Sequence, residues 1–382
     1  MISLKLNRVT FFHRDTAPSA IHHNKNSQFS YLALIRFIMA YIIYAGHYGL
    51  LARHEAFTYR LFQLGPFAAI LVFLIISGYS IASSFNREMS GFYARRLGRI
   101  YPVFAVSLTF YVAFLAAYMS VDIFTADGTK HGPLPQVGRI LINYLMLNGV
   151  IGDQIIGTSW SLAVEALFYI TAPLLFLIVQ SKKHILFLLL IIASAVFYWF
   201  HENLGLPYFA NMSHGTAALA LFFAWGCGFY FYFHQSAVWG ITFPLFLCVL
   251  LNHYLPLGGK YSLYTLYIFS TLVFFANKLP MLNQWLTVLL NYLGEISYPL
   301  FILHYPLLIA LNYQFHLSNQ YVVTMVVLGV SALTLAFVDK PCRRWIATRS
   351  SLQVKNAFVA SGIMSGAVAI LCVISLFFYI HG

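Results

Sequence analysis

The feature that most constrains this chain is a continuous apolar stretch over residues 31–51. About 20 apolar residues in a helix match the hydrocarbon thickness of a bilayer, and a helix satisfies every backbone group within the segment. Comparable runs recur along the 382 residues, which are 60% hydrophobic and 8% charged. Soluble domains carry about a quarter of charged residues. The chain is therefore predicted to be an integral membrane protein.

The apolar runs predict an all-α fold, a polytopic transmembrane helix bundle of about 10–11 spans plus a short re-entrant or interfacial helix. A closed barrel is not indicated, because the runs are continuous rather than alternating. The short helix is expected at residues 140–150, which are too few to cross the membrane. Spans are predicted at residues 31–51, 62–85, 102–121, 159–180, 185–200, 214–233, 237–251, 262–277, 297–313, 321–338 and 357–380.

The same runs divide the chain into three regions. Residues 1–30 are polar and His-rich, have no signal-peptide pattern, and are expected to form a cytoplasmic N-terminal tail. Residues 31–345 are expected to form the main transmembrane bundle, and residues 346–382 an additional C-terminal transmembrane helix. No soluble domain is expected after that last helix.

The distribution of lysine and arginine predicts the orientation. With the N-terminus in the cytoplasm, sixteen of the 22 basic residues fall in inner segments, five in outer segments, and Arg36 lies inside the membrane. Such a bias is typical of multi-pass proteins and predicts a plasma (inner) membrane protein with its N-terminus cytoplasmic. The net charge of +12 thus reflects orientation, and no nucleic-acid partner is expected.

The first span carries two ionisable residues, Arg36 and His47. Eleven positions are about three helical turns, so both lie on one face, about 16 Å apart along the axis. Each alone has a structural explanation, since arginine can reach the headgroups and histidine can bond a neighbouring helix. Together they favour a functional site. A histidine can accept a proton from an attacking hydroxyl when a carboxylate or carbonyl fixes its tautomer.

Two further groups of ionisable residues accompany this pair. Glu165 lies about two turns below the outer end of the fourth span and is expected at the depth of His47, although it could instead bond a helix end or line a polar cavity. Arg96 and Arg99 lie in a basic loop and can hold a phosphate group together. Orientation alone would also place arginines there.

A later segment places more polar residues near its membrane span. Glu295 is expected at the inner mouth of that span, with His304 about 13 Å deeper. Pro299 and Pro306 free backbone groups, which is tolerated beside a polar cavity. Asp339 is expected to be an interfacial cap or an ion-pair partner. The four cysteines are scattered, so no metal site or disulfide framework is indicated.

Six patches in the same order make the chain similar to the acyltransferase-3 family of membrane proteins, which transfer acyl groups, usually acetyl, to sugars of surface polysaccharides, lipopolysaccharide or peptidoglycan. The resemblance extends over residues 30–345. Its patches are Arg36-x10-His47, Ser77-Gly78-Tyr79, Arg96-x-x-Arg99 before Tyr101-Pro102, Trp160-Ser161-Leu162-x-x-Glu165, Ser297-Tyr298-Pro299-Leu300-Phe301 with His304, and Asp339-Lys340-Pro341.

The resemblance implies a role for each residue that matches it. His47 would be the catalytic histidine, Arg36 its partner on the same helix, and Glu165 a member of the site on the acceptor side. The donor, acetyl-CoA, would be held by Arg95, Arg96 and Arg99. The residues expected to contact substrate are Trp160, Ser161, Glu295 and His304. No metal is implied. Some family members append a soluble esterase-like domain, and none is expected after the last span of this sequence.

The leading hypothesis is an integral membrane O-acyltransferase that moves an acyl group from cytoplasmic acyl-CoA to a hydroxyl of a cell-surface or lipid-linked glycan. His47 would act either as general base or as an acyl carrier. The main alternative is a proton-coupled transporter of a polyol, glycan or anion that uses Arg36, His47 and Glu165 as a relay. A third possibility is a lipid-binding scaffold without chemistry. Membrane lipid is an expected partner in each case.

Overall fold

A computed structural model of the protein describes residues 19–51, 56–87, 91–118, 133–148, 154–180, 185–194, 215–234, 259–317 and 319–348. These residues contain no β-strand. Six of their helices are long and apolar enough to cross a membrane, namely Ser27–Gly49, Pro66–Asn86, Phe92–Leu115, Ser159–Val179, Gln284–Asn312 and Gln320–Ala347. The prediction of an all-α, multi-pass membrane protein is confirmed.

The described residues form twelve α-helices. In chain order they are α1 (Ser19–Leu51), α2 (Ala56–Phe62), α3 (Pro66–Arg87), α4 (Phe92–Tyr118), α5 (Pro133–Tyr144), α6 (Ser159–Gln180), α7 (Ile185–Ser194), α8 (Gly215–Phe233), α9 (Ser262–Phe275), α10 (Gln284–Tyr313), α11 (Gln320–Thr334) and α12 (Lys340–Ala347).

Helix α1 lies at the centre of the bundle, where it packs most extensively against α10 and α3. Apolar side chains on its inward faces, such as Met39 and Ile43, are fully buried. The two helices α1 and α10 run parallel, because Ser30 donates to Asn291 near the start of both, and His47 meets His304 further along both. Residues on α1 and α10 are therefore brought together at corresponding depths.

A close contact between α3 and α8 forms a second part of the core. A Cβ atom on Gly78 would lie 2.0 Å from the carbonyl oxygen of Trp225, and one on Gly228 would lie 2.0 Å from that of Ile75. Small residues let the backbones of membrane helices approach closely, which increases van der Waals contact where no hydrophobic driving force exists. This contact holds α8 against the helix that carries Ser77.

Helices α1 and α4 begin earlier than predicted. Helix α1 starts at Ser19 instead of residue 31, and Ser27, outside the predicted span, accepts a hydrogen bond from the backbone of Leu282. Helix α4 starts at Phe92, so the predicted basic loop forms its first two turns. Pro102 lies inside α4, where its missing N–H is tolerated in a buried bundle. The residues at these helix ends are polar, so hydropathy did not predict that they are helical.

Helix α10 is also longer than the predicted span, which began at residue 297. It begins at Gln284, because the Asn283 side chain caps it by accepting a hydrogen bond from the backbone of Leu286 at 2.8 Å. The helix continues through Pro299 and Pro306. Glu295 therefore lies within the helix.

Helices α11 and α12 are joined without a break, although the sequence predicted the end of a span near residue 338. Between α11 and α12 the residues Leu335–Asp339 form a π-helical turn, and the backbone N–H of Lys340 bonds the carbonyl of Leu335. Pro341 follows directly and has no N–H to contribute to a regular α-helical ladder. The wider turn carries the helix past this position.

The remaining spans agree with the sequence to different extents. Helix α6 has the bounds that were predicted, and α8 and α9 lie within a few residues of theirs. The short helix α5 covers Pro133–Tyr144, so it begins and ends earlier than the helix predicted at residues 140–150, which it overlaps in part. The chain reaches a turn at Met146, which has a positive φ of 56°. The predicted spans 237–251 and 357–380 lie outside the described residues.

Candidate active site

Two histidines from the central helices form one end of the candidate site. The Nδ1 atom of His47 on α1 lies 3.2 Å from the Nε2 atom of His304 on α10. Each ring also places its Nδ1 atom 2.9 Å from a carbonyl oxygen one turn earlier in its own helix, that of Ile43 for His47 and that of Leu300 for His304. His304 is fully buried, whereas His47 is part-buried. His47 therefore faces a polar partner inside the bundle.

Aromatic side chains surround this pair. The Tyr305 ring meets the His47 imidazole edge-on, with centroids 5.6 Å apart, and the Tyr44 ring meets His304 in the same way at 6.2 Å. The Tyr44 hydroxyl bonds that of Thr324 on α11 at 2.8 Å. These contacts fix the planes of both imidazole rings.

Three arginines form the other end of the candidate site. Arg36 on α1 lies within electrostatic range of Arg96 and Arg99 on α4. Its Nε atom is buried and has no hydrogen-bond partner in the described part of the chain. Arg96 packs over the rings of Phe92 and Tyr169, 5.7 Å and 5.9 Å from their centroids. Cationic charge is thus concentrated on one side of α1.

The carboxylate of Glu165 on α6 faces this arginine cluster. Its Oε1 atom accepts hydrogen bonds from the hydroxyls of Ser77 and Tyr169, the latter at 2.6 Å. The Glu165 side chain is buried and interacts electrostatically with Arg36 and Arg96. Within the described residues, no hydrogen bond joins this carboxylate to His47. The carboxylate therefore serves as a counter-charge to the guanidinium groups.

A second set of ion pairs lies next to the arginine cluster. Glu295 pairs with Lys340 at 2.9 Å and with Arg343 at 3.7 Å, and Asp339 pairs with Arg343 at 2.9 Å. Asp339 also lies within electrostatic range of Arg99. The prediction that Asp339 takes part in an ion pair is confirmed. These two carboxylates and Glu165 face five cations, so the region retains an excess of positive charge.

A small cavity lies between the two ends of the site. Its polar lining comes from Glu165 and Ser161 on α6. Its apolar lining includes Ile43 and Phe301, which precede His47 and His304 by about one turn. Trp160 stacks on Phe67 with the ring planes 9° apart. The complete lining is Ile43, Ile70, Phe73, Leu74, Ser161, Leu162, Glu165 and Phe301.

Comparison with known proteins identifies the family. The model of an acyltransferase family, described as an acyltransferase domain, matches residues 29–338. The chain belongs to the acyltransferase-3 family. This acyltransferase is also similar to the "Putative acetyltransferase ORF330" of Acidianus two-tailed virus, with 25% identity over 252 residues, which are 62% of this chain and 70% of the viral protein. No solved structure matches the chain.

Family membership bears on the alternatives that the sequence left open. An acyltransferase requires an acyl donor and an acceptor, whereas a transporter or a scaffold requires neither. The enzyme hypothesis is therefore confirmed at the level of reaction class, in a protein whose helices are suited to cross a membrane several times. In the described part of the acyltransferase, no group of three or more His, Cys, Asp or Glu residues is placed to hold a metal ion.

The site residues predicted from the sequence form two groups in the acyltransferase, and several of them lie outside both groups. Arg36, Arg96, Arg99 and Glu165 come together, as do His47 and His304. Arg95 is exposed, and its guanidinium lies beside Gly91 instead of with Arg96. Glu295 is engaged by Lys340 and Arg343. Trp160 and Ser161 lie at the start of α6, and the Ser161 hydroxyl donates to the Thr158 carbonyl.

Two residues of the site were not singled out from the sequence. Tyr169 follows Glu165 by four positions, so its hydroxyl can reach the carboxylate along the same helix face. That spacing could have signalled the contact. Tyr305 follows His304 directly and contacts His47 across the helix interface. No local signal predicts such a contact, because it depends on how α1 and α10 pack.

Proposed function

We propose that this acyltransferase moves an acetyl group from cytoplasmic acetyl-CoA to a hydroxyl of a cell-surface or lipid-linked glycan, with His47 as the catalytic residue. The observation that carries the proposal is the arrangement on α1, which bears Arg36 in a cationic cluster and His47 about 16 Å further along the same helix. A donor with an anionic end and a reactive end separated by a long arm matches this arrangement.

The anionic end of the donor binds at the arginine cluster in this proposal. Arg99 makes no hydrogen bond or ion pair within the described residues, and Arg36 keeps a buried Nε atom without a partner. Guanidinium groups hold phosphate through paired hydrogen bonds. The excess of cations over carboxylates would be balanced by the phosphates of the donor. Arg95 contributes charge at the entrance and not a direct contact.

The reactive end of the donor lies at the histidine end. Among the described residues no hydrogen bond engages the Nε2 atom of His47, so that atom is available to substrate. In one route Nε2 takes the proton of the acceptor hydroxyl as its oxygen attacks the thioester carbon, the C–S bond breaks, and the proton passes to the departing thiolate. In the other route Nε2 attacks the thioester carbon, the C–S bond breaks and CoA departs as a thiolate. The oxygen of the acceptor hydroxyl then attacks the acetyl carbon, the bond from that carbon to Nε2 breaks, and the hydroxyl proton passes to the freed Nε2 and on to the thiolate.

The two routes differ in a covalent species that can be trapped. Acetyl-CoA supplied without acceptor and followed by rapid quenching gives an acetylated His47 peptide in the second route. The first route gives no acetylated peptide, and release of CoA depends on the acceptor. Mass spectrometry of the quenched protein distinguishes them.

The proposal is tested with protein in lipid nanodiscs and with cells that contain or lack the gene. Release of free CoA is measured in the nanodiscs, and the glycans and lipid-linked saccharides of the cells are analysed for added acetyl groups. His47→Ala is expected to lower the rate of transfer by about 10² to 10⁴-fold, the contribution of a positioned general base. Cells without the gene are expected to lose the acetyl substituent.

The matched control is His316→Asn. His316 is exposed and has a positive φ of 49°, which asparagine adopts more readily than most residues. This variant is expected to retain the full rate. Normal transfer by His47→Ala, at the membrane level of the unmodified protein, would overturn the proposal. Uptake of solute coupled to protons, with no CoA release, would instead support the transporter.

A further inference from the structure

The two histidines carry an inference about which ring nitrogen holds each proton. A carbonyl oxygen only accepts hydrogen bonds, so each carbonyl or other acceptor that faces an imidazole nitrogen stabilises the tautomer with a proton on that nitrogen. The Nδ1 atom of His304 faces the Leu300 carbonyl and the Nδ1 atom of His47 faces the Ile43 carbonyl, both at 2.9 Å. Both neutral rings are therefore protonated on Nδ1.

The contact between the rings then has only one favourable direction. A neutral His304 with its proton on Nδ1 has a lone pair on Nε2, and this lone pair lies 3.2 Å from the protonated Nδ1 of His47. His304 is thus the acceptor, and the His47 proton is shared between His304 and the Ile43 carbonyl. The opposite direction requires a charged His304, which is costly at a fully buried position.

We propose that His304 is a positioning residue, which holds His47 in the tautomer protonated on Nδ1 so that the Nε2 lone pair faces the substrate. This inference rests on the proposed function of His47. It replaces the predicted role of His304 as a substrate contact, because the Nδ1 and Nε2 atoms of His304 are both engaged by the protein. The acceptor also stabilises the positive charge that develops on His47 when Nε2 takes a proton or an acetyl group.

The surrounding packing supports a role in positioning. Tyr44 and Phe301 pack against the His304 ring, with centroids 6.2 Å and 6.4 Å away. Tyr44 is itself tied to Thr324 by a hydrogen bond. The His304 ring therefore cannot rotate freely, and its Nε2 atom stays directed at His47. Rigid second contacts of this kind determine which nitrogen of a functional histidine is protonated.

The test compares His304→Gln with His304→Leu in nanodiscs. The glutamine Oε1 atom can take the place of the Nε2 acceptor, whereas leucine fills a similar space without any acceptor. His304→Leu is expected to lower kcat by about tenfold, the scale of one hydrogen bond, with the KM for acetyl-CoA unchanged. His304→Gln is expected to recover most of kcat. The second readout is ¹⁵N NMR of labelled histidine, with the His47 signal assigned by its loss in His47→Ala.

The expected spectrum shows His47 protonated on Nδ1 in the unmodified protein and in His304→Gln, and a mixture of tautomers in His304→Leu. Unchanged kcat and an unchanged His47 tautomer in His304→Leu would overturn this inference. The proposed function would still stand in that case, provided that His47→Ala loses activity. Equal loss in both His304 variants with the His47 tautomer unchanged would also overturn it. Full activity in His47→Ala would overturn the proposed function itself.

Discussion

At the scale of single residues, the buried charges of this acyltransferase depend on one another. Glu165 accepts hydrogen bonds from Ser77 and Tyr169 and provides the carboxylate that faces Arg36 and Arg96. Removing one partner from a buried set of charges leaves the others without compensation, which is more costly than the set was favourable. Glu165 is therefore expected to be needed for folding as well as for any role in transfer.

Replacing Glu165 by glutamine tests this dependence. Glu165→Gln keeps the size of the side chain but removes the charge, and is expected to lower the free energy of unfolding by about 3 to 5 kcal/mol. Glu295→Gln is the matched control, because its ion pairs are part-exposed and worth about 1 kcal/mol or less. Thermal denaturation in detergent measures both. An equal melting temperature for the two variants would show that Glu165 is not a counter-charge.

The sequence indicates which residues could form the candidate site but not which side chains they contact. Arg36 and His47 share a face of α1 because helical periodicity alone sets that relation. The pairing of His47 with His304 and of Glu165 with Arg36 depends on contacts between helices far apart in the chain. Glu165 was expected at the depth of His47, since the sequence shows where its helix begins but not how its side chain extends toward α4.

At the scale of elements, the apolar runs predicted where the helices lie but not where their polar ends begin. The bounds of α6 were predicted correctly because Ser159 and Gln180 mark a sharp change in polarity. Helices α4 and α10 continue into polar or basic residues at their starts, where hydropathy no longer distinguishes helix from loop. The cap at Asn283 and the π-helical turn at Leu335–Asp339 are backbone features that hydropathy does not register.

The contact between α3 and α8 gives a prediction at this scale. Gly78→Ala would place a Cβ atom 2.0 Å from the Trp225 carbonyl oxygen, so the two helices must separate. We expect a loss of stability of about 1 to 3 kcal/mol, because backbone atoms cannot move aside as a side chain can. The measurement is the midpoint of thermal unfolding in detergent.

Gly329→Ala is the control for this change. Nothing in the described residues lies within 4 Å of a Cβ atom at Gly329 on α11, and alanine favours helix more than glycine does. This variant is expected to match or exceed the stability of the unmodified protein. A Gly78→Ala protein as stable as Gly329→Ala would contradict the close contact between α3 and α8.

At the scale of the whole molecule, contacts between helices show which helix starts lie at the same end of the bundle. The start of α4 packs on α12, since a Cβ atom on Gly98 would meet Ile346. The start of α1 meets the segment before α10, where Tyr31 donates to the Pro280 carbonyl. Lys260 lies at the opposite end, with its backbone N–H bonded to Gln63. In the predicted orientation, the end that contains the starts of α1 and α4 faces the cytoplasm.

Cysteine labelling tests the orientation. In a chain whose four cysteines are replaced by alanine, single cysteines are introduced at the exposed positions Lys278, Arg344 and Lys260. Lys278→Cys and Arg344→Cys are expected to react with a membrane-impermeant maleimide only in inverted vesicles, and Lys260→Cys only in intact cells. The positive-inside distribution is the reason for this expectation. Labelling of Arg344→Cys in intact cells would show that the orientation is the opposite of the one predicted.

The single helix that bears both Arg36 and His47 has a consequence for the choice of donor. Since no loop interrupts α1 between the two residues, their separation of about 16 Å is a property of a rigid rod. If the proposed function is correct, this fixed distance selects a carrier of the acetyl group that has a matching length. If the carrier is shortened while it remains bound to the guanidinium groups, its thioester does not reach the imidazole. The enzyme would therefore select its donor by the length of the carrier more than by the identity of the acyl group.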